Sequence, residues 1–108
     1  MIDLGLTETE LALMRSVFQG SGGVQKAVVF GSRAKGNFKK YSDVDIAVFA
    51  GENSISVGSI LTALDELPLI YKFDVLAYDE LKNAELKEHI DRVGVTFYEY
   101  GGDAKDQT

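Results

Sequence analysis

The apolar positions follow two periods, and the switches between them predict the elements. Leu11, Met14, Val17 and Phe18 recur at i, i+3, i+6 and i+7, which puts them on one stripe of a helix over 7–19. Thr7 and Glu10 have capping-box spacing, Leu6 and Leu11 can staple the entry, and Gly20, Ser21, Gly22 and Gly23 stop the helix. Residues 24–30 are rich in Val and bounded by Gly, which reads as a buried strand. A second strand over 44–50 alternates: Asp43, Asp45, Ala47 and Phe49 share one face, and Val44, Ile46 and Val48 the other.

Helical spacing returns with Val57, Ile60, Leu61 and Leu64, in a helix that begins at Ser54 or Ser56 and is ended by Pro68. A third strand over 69–78 sets Lys72, Asp74, Leu76 and Tyr78 against Phe73, Val75 and Ala77. Asp79 then caps a helix whose Leu86, Ile90 and Val93 share a face, and Gly94 closes it. Residues 95–100 form a short edge strand. The pattern predicts an α/β (α+β) fold, with a mixed β-sheet of three main strands plus the edge strand, flanked by helices.

With 108 residues, 45% of them apolar, the chain fits one domain over 1–100, and the polar, Gly-led stretch 101–108 is expected to fray. It has no Cys, so the fold is not held by disulfides. Residues 1–20 carry Asp3, Glu8 and Glu10 without an unbroken apolar run, so neither a signal peptide nor a membrane span is expected there. A soluble, cytoplasmic protein is the expectation, and a net charge of −6 argues against direct nucleic-acid binding by the surface as a whole.

The stretch from Gly31 to Asp45, GSRAKGNFKKYSDVD, carries the chemistry. A Gly-Ser turn lets backbone N–H groups approach a polyphosphate, and two carboxylates at i, i+2 can share Mg²⁺ ions. Asp43 and Asp45 point the same way from one strand, where like charges repel and a structural sheet gains nothing from them. The plain alternative is that Asp43 caps a turn with Ser42 and Asp45 begins an exposed strand. Asp74 is a third carboxylate in a mostly apolar strand, and needs a partner, a metal or exposure.

Bringing these residues to one site dictates a topology. The first two strands must be antiparallel, because Gly31-Ser32 ends one and Asp43 opens the next. The third must run parallel to the second, and the intervening helix supplies the crossover.

Arg33, Lys35, Lys39 and Lys40 fall in ten residues without an acid, so this segment carries +4 and the remainder of the chain −10. They read either as a solvated loop or as a rim that attracts a triphosphate. His89, the only histidine, is expected on the polar side of its helix beside Glu85 and Glu88, with no second ligand spaced for zinc. Tyr98 and Tyr100 read as edge packing, because no basic residues interleave them.

Gly31-Ser32, ten intervening residues, Asp43-Val44-Asp45 and a lone Asp74 in a following strand resemble the GS-x10-D-x-D signature of the DNA polymerase β-type nucleotidyltransferase superfamily. The small size and the run from Ser42 to Val48 are similar to its minimal nucleotidyltransferase (MNT) branch. The resemblance spans roughly residues 5–100.

It implies that Asp43 and Asp45 hold two Mg²⁺ ions on ATP or another nucleoside triphosphate. Gly31 and Ser32 would bind the β- and γ-phosphates, with Arg33 and Ser42 as further nucleotide-binding positions. Asp74 would bind one metal and help remove the acceptor hydroxyl's proton. It also implies a HEPN-domain protein partner, a toxin modified on a tyrosine by AMP transfer. Two alternatives remain: an antitoxin that neutralises its partner by contact without turnover, and nucleotidylation of a small molecule such as an antibiotic.

Overall fold

The computed structural model describes residues 4–40 and 42–100; the tail expected over 101–108 lies outside the described residues. Helix α1 (Glu8–Gln19) opens with the predicted box: Thr7 Oγ1 accepts the Glu10 N–H at 3.1 Å, and Glu10 Oε1 accepts the Thr7 N–H at 2.9 Å. Tyr71 also donates its hydroxyl to Glu10 Oε1 at 3.2 Å, so the cap ties the helix to the lead-in of the third strand. Thr7→Ala is expected to cost about 1 kcal/mol and to lower Tm by roughly 4–8 °C, read by circular dichroism.

Strands β1 (Lys26–Phe30), β2 (Val44–Phe49), β3 (Phe73–Ala77) and β4 (Val95–Glu99) form one sheet in the order β3-β2-β1-β4. The pairing is antiparallel for β1 with β2 and with β4, and parallel for β2 with β3. Helix α3 (Val57–Asp65), capped by Ser56, makes the crossover between the parallel strands. This is the topology that the positions of Gly31, Asp43 and Asp74 required.

On one face, Val29, Val44, Ile46, Val48 and Val75 pack with Met14 and Phe18 of α1 and Ile60 and Leu64 of α3. On the other, Val28, Phe30 and Ala47 meet Ile90 of α4 (Ala84–Val93). Alternation within each strand separates these two clusters. The second cluster leaves the Asp45 end of its face open, and the acids lie there.

One cap differs from the expected one, and the edge strand carries a bulge. The cap of α4 is Asn83, whose Oδ1 accepts the N–H groups of Glu85 and Leu86 at 3.0 and 3.1 Å. Asp79 lies instead in a 3₁₀ turn (Tyr78–Glu80), where its Oδ2 accepts from Ala50 and Gly51 at the end of β2, at 2.8 and 3.0 Å. A carboxylate four residues ahead of Asn83 lies too early to cap and serves better on those two amides. In β4, the register slips between Ala27 and Val28, so that Tyr98 and Thr96 face them and Phe97 is the extra residue of a bulge. Strict alternation fails there, and both Phe97 and Tyr98 pack on Phe18, with ring centroids at 5.5 and 5.7 Å.

Candidate active site

The site is built where β1 ends beside the start of β2. Gly31 has φ +76°, a conformation that favours glycine, and its Cα lies so close to the Asp45 carboxylate that a Cβ there would run into Oδ2. The chain then turns into the four-residue helix α2 (Ser32–Lys35), with Ser32 half-buried at its start. Glycine at 31 thus has two reasons: the backbone conformation, and the carboxylate it touches.

Asp45 is opposite Phe30 in the β1–β2 pairing and opposite Asp74 in the β2–β3 pairing. In parallel strands, paired residues project to the same side, so both carboxylates stand on the face α4 only partly covers. Asp43 lies two residues ahead of Asp45, exposed like Asp74, whereas Asp45 is half-buried. The structure therefore gathers Gly31, Ser32, Asp43, Asp45 and Asp74 at one end of the sheet.

The crowding has an electrostatic consequence. Burial, then the charges of Asp74 and Asp43, push Asp45 above the usual aspartate range, and His89 pulls the other way. An acid with a raised folded pKa binds its proton more tightly in the folded protein, so its ionisation destabilises the fold as pH rises through that window. Without metal, Asp45→Asn is expected to melt above the wild type at neutral pH. The margin should shrink as pH falls through the raised pKa toward the ordinary aspartate value. Thermal melts in EDTA from neutral to about pH 3.5 check this.

Among the described residues, no three His, Cys, Asp or Glu side chains form a group that could hold a metal ion by themselves. The donor set is all oxygen, open to one side and short of ligands. It suits Mg²⁺, which keeps waters and takes substrate phosphate oxygens rather than a full protein cage. Asp43, Asp45 and Asp74 are the candidate protein ligands that the motif names, and they are oxygen donors of the kind this ion takes.

Arg33 departs from expectation. Its side chain is fully buried, and its guanidinium donates to the carbonyls of Leu4 at 2.8 Å, Ser42 at 2.9 and 3.1 Å, and Lys40 at 3.4 Å. The rings of Phe38 and Tyr71 lie 5.1 and 4.7 Å from its carbon centre. A planar fork with five donors can pin three carbonyls at once, and here it organises the loop between α2 and β2 instead of facing a phosphate. Lys35, Lys39 and Lys40 stay exposed beside it. Ser42 is likewise turned inward to the loop: its Oγ accepts the Lys39 N–H at 2.7 Å, and its carbonyl serves Arg33.

His89 is the residue that sequence reasoning missed. It is half-buried, not on the polar side of α4; its Nε2 accepts the Gly31 N–H at 3.3 Å, and its ring meets Phe30 edge-on at 6.2 Å. A signal was available: Leu86, His89, Ile90 and Val93 follow i, i+3, i+4 and i+7, which sets the imidazole on the apolar stripe.

The sequence matches the family described as Polymerase beta, Nucleotidyltransferase over residues 14–101. It is 30% identical over 98 residues to "Probable protein adenylyltransferase MntA" of Haemophilus influenzae, covering 89% of this chain and 85% of the relative. The fold is similar to a toxin-antitoxin crystallised with AMP-PNP, with TM-score 0.61 and 20% identity, covering 93% of this chain and 79% of that one. It is also similar to a mutant of the toxin-antitoxin MntA-HpeT, with TM-score 0.59 and 17% identity over the same shares, 93% and 79%. The family match covers most of the chain and takes in Gly31, Ser32 and all three carboxylates; the chain belongs to the Polymerase beta nucleotidyltransferase family.

Proposed function

We propose that the chain transfers AMP from ATP, with Mg²⁺, to a tyrosine hydroxyl of a HEPN-domain toxin, and so acts in the cytoplasm as its antitoxin. The observation that carries the chemistry is the in-register pairing of Asp45 with Asp74 across parallel strands, with Gly31 packed against the first. The acceptor is argued from the relatives: one is named as a protein adenylyltransferase, and the similar structures are of toxin-antitoxins, one with AMP-PNP. The MntA-HpeT mutant replaces two aspartates spaced i, i+2 by glutamate, the spacing of Asp43 and Asp45.

In this reading, Gly31 and Ser32 hold the β- and γ-phosphates, and Asp43, Asp45 and Asp74 would hold the Mg²⁺ ions. Mg²⁺ supplies charge stabilisation for the attacking and leaving oxygens. The acceptor oxygen attacks the α-phosphorus in line and its bond to AMP forms as the bond to pyrophosphate breaks, while Asp74 takes the hydroxyl proton. The chain's own contribution is position, since phosphoryl chemistry needs little else from a protein.

The test is incubation of the chain with α-labelled ATP and Mg²⁺, with and without a co-encoded HEPN protein, followed by intact mass of both. One AMP added to the partner, and lost in Asp43→Asn, is the expected result. A tight complex that carries no AMP and persists in that variant would mean neutralisation by contact. Label on a panel of small molecules without any partner would point to the drug-modifying alternative.

A further inference from the structure

The pairing of β1 with β2 ends at Phe30 opposite Asp45, and that of β1 with β4 ends at Val29 opposite Val95. Gly31 is the first residue past both ladders, so its N–H has left the sheet. A backbone donor at such a place needs another acceptor. It finds one in Nε2 of His89, at 3.3 Å.

The imidazole is itself held. Ile90, the next residue, is buried against Val28, Phe30 and Ala47, and the Phe30 ring meets His89 edge-on. Docking of α4 therefore sets where Nε2 lies. The Gly31 carbonyl accepts the Lys35 N–H at 3.1 Å, which holds the far side of the turn; at φ +76° and ψ −151° the glycine itself has wide freedom, and the bond to Nε2 fixes the near side, the Phe30–Gly31 peptide. The same residue touches the Asp45 carboxylate and leads directly into Ser32.

We propose that His89 is a positioning residue for nucleotide binding: by accepting the Gly31 N–H, it holds the Gly31-Ser32 turn in the one orientation that presents Ser32 to the triphosphate. The inference rests on that turn being the phosphate cradle. It gives α4 a function besides packing, since the helix carries the acceptor that the sheet lacks at this point.

The variants separate an acceptor from a mere space-filler. In His89→Gln, the amide oxygen can reach the place of Nε2; in His89→Asn, the acceptor falls short, near the place of Nδ1; in His89→Ala, there is none. Affinity for Mg·AMP-PNP is measured by calorimetry, and the Gly31 amide is followed by ¹H–¹⁵N NMR. Loss of one hydrogen bond that orders the turn predicts about 5- to 10-fold weaker binding in the Ala and Asn variants, with a displaced, faster-exchanging Gly31 amide. His89→Gln should bind within about twofold of wild type, with that amide near its original position.

If the Ala variant fails to fold, the Gln and Asn pair, which fill most of the space, carry the comparison. Equal affinity in wild type, Gln and Asn, with the Gly31 amide displaced only in Asn, would overturn the inference and leave the nucleotide site standing. A wild-type chain that binds no Mg·AMP-PNP would overturn the nucleotide site, and this role with it.

Discussion

Replacing Asp43 and Asp45 together by Asn is expected to reduce nucleotidyl transfer by at least about 10³-fold while the chain stays folded. Ions held on a triphosphate supply several kcal/mol of transition-state stabilisation, and each 1.4 kcal/mol or so is tenfold in rate. Asn keeps the shape of Asp but trades the anionic carboxylate for a neutral amide with one oxygen, so the charge that would hold the metal goes while the packing of β2 remains. The fold should not suffer, because the charges of Asp43 and Asp74 already work against ionised Asp45. The rate is read as labelled AMP incorporated, and the binding part as the rise in Tm with Mg·ATP. An undiminished rise in the double variant would sink the metal assignment.

Arg33→Met is expected to cost about 3–5 kcal/mol, the largest effect on stability of any variant considered, because each inward-facing carbonyl left without its donor costs about 1–3 kcal/mol, and to lower Tm by more than about 10 °C. Methionine fills much of the volume but brings no donor to the carbonyls of Leu4, Lys40 and Ser42. It also gives up the cation's contacts with Phe38 and Tyr71. Arg33→Lys should recover only part of this, because one ammonium cannot span three acceptors lying in different directions. Thermal melts of the two variants decide. Melting like the wild type, combined with lost affinity for Mg·ATP, would return the guanidinium to a phosphate.

Sequence reasoning reached the sheet further than its details, for a physical reason. Gly31, Asp43 and Asp74 lie at known ends of their strands, so requiring them in one site left a single set of directions, which the pairings of β1, β2 and β3 follow. The box of Thr7 and Glu10 was legible because both partners are local. Arg33 was misread because its acceptors are backbone carbonyls, which no residue type announces, and because a cation beside a Gly-Ser turn suits a phosphate equally well. Asp79 and Asn83 are both good caps by type, and only the course of the chain after β3 decides between them. The bulge at Phe97 goes with the packing of two rings on Phe18, a tertiary contact without a local signature. His89 lay on a readable stripe, yet its acceptor role depends on where β4 stops pairing with β1.

That β1 pairs on both sides also bears on how the chain is made. Its partner β2 follows closely, but its other neighbour is β4, whose Glu99 pairs with Lys26. At about 5–20 residues per second, a ribosome that has completed β2 needs a few seconds more to reach the end of β4. Throughout that interval, Ala27 and Val29 belong to a strand with one open edge in a nascent chain. Slow stretches of translation after residue 50 should therefore favour aggregation, and early engagement of a chaperone should relieve it.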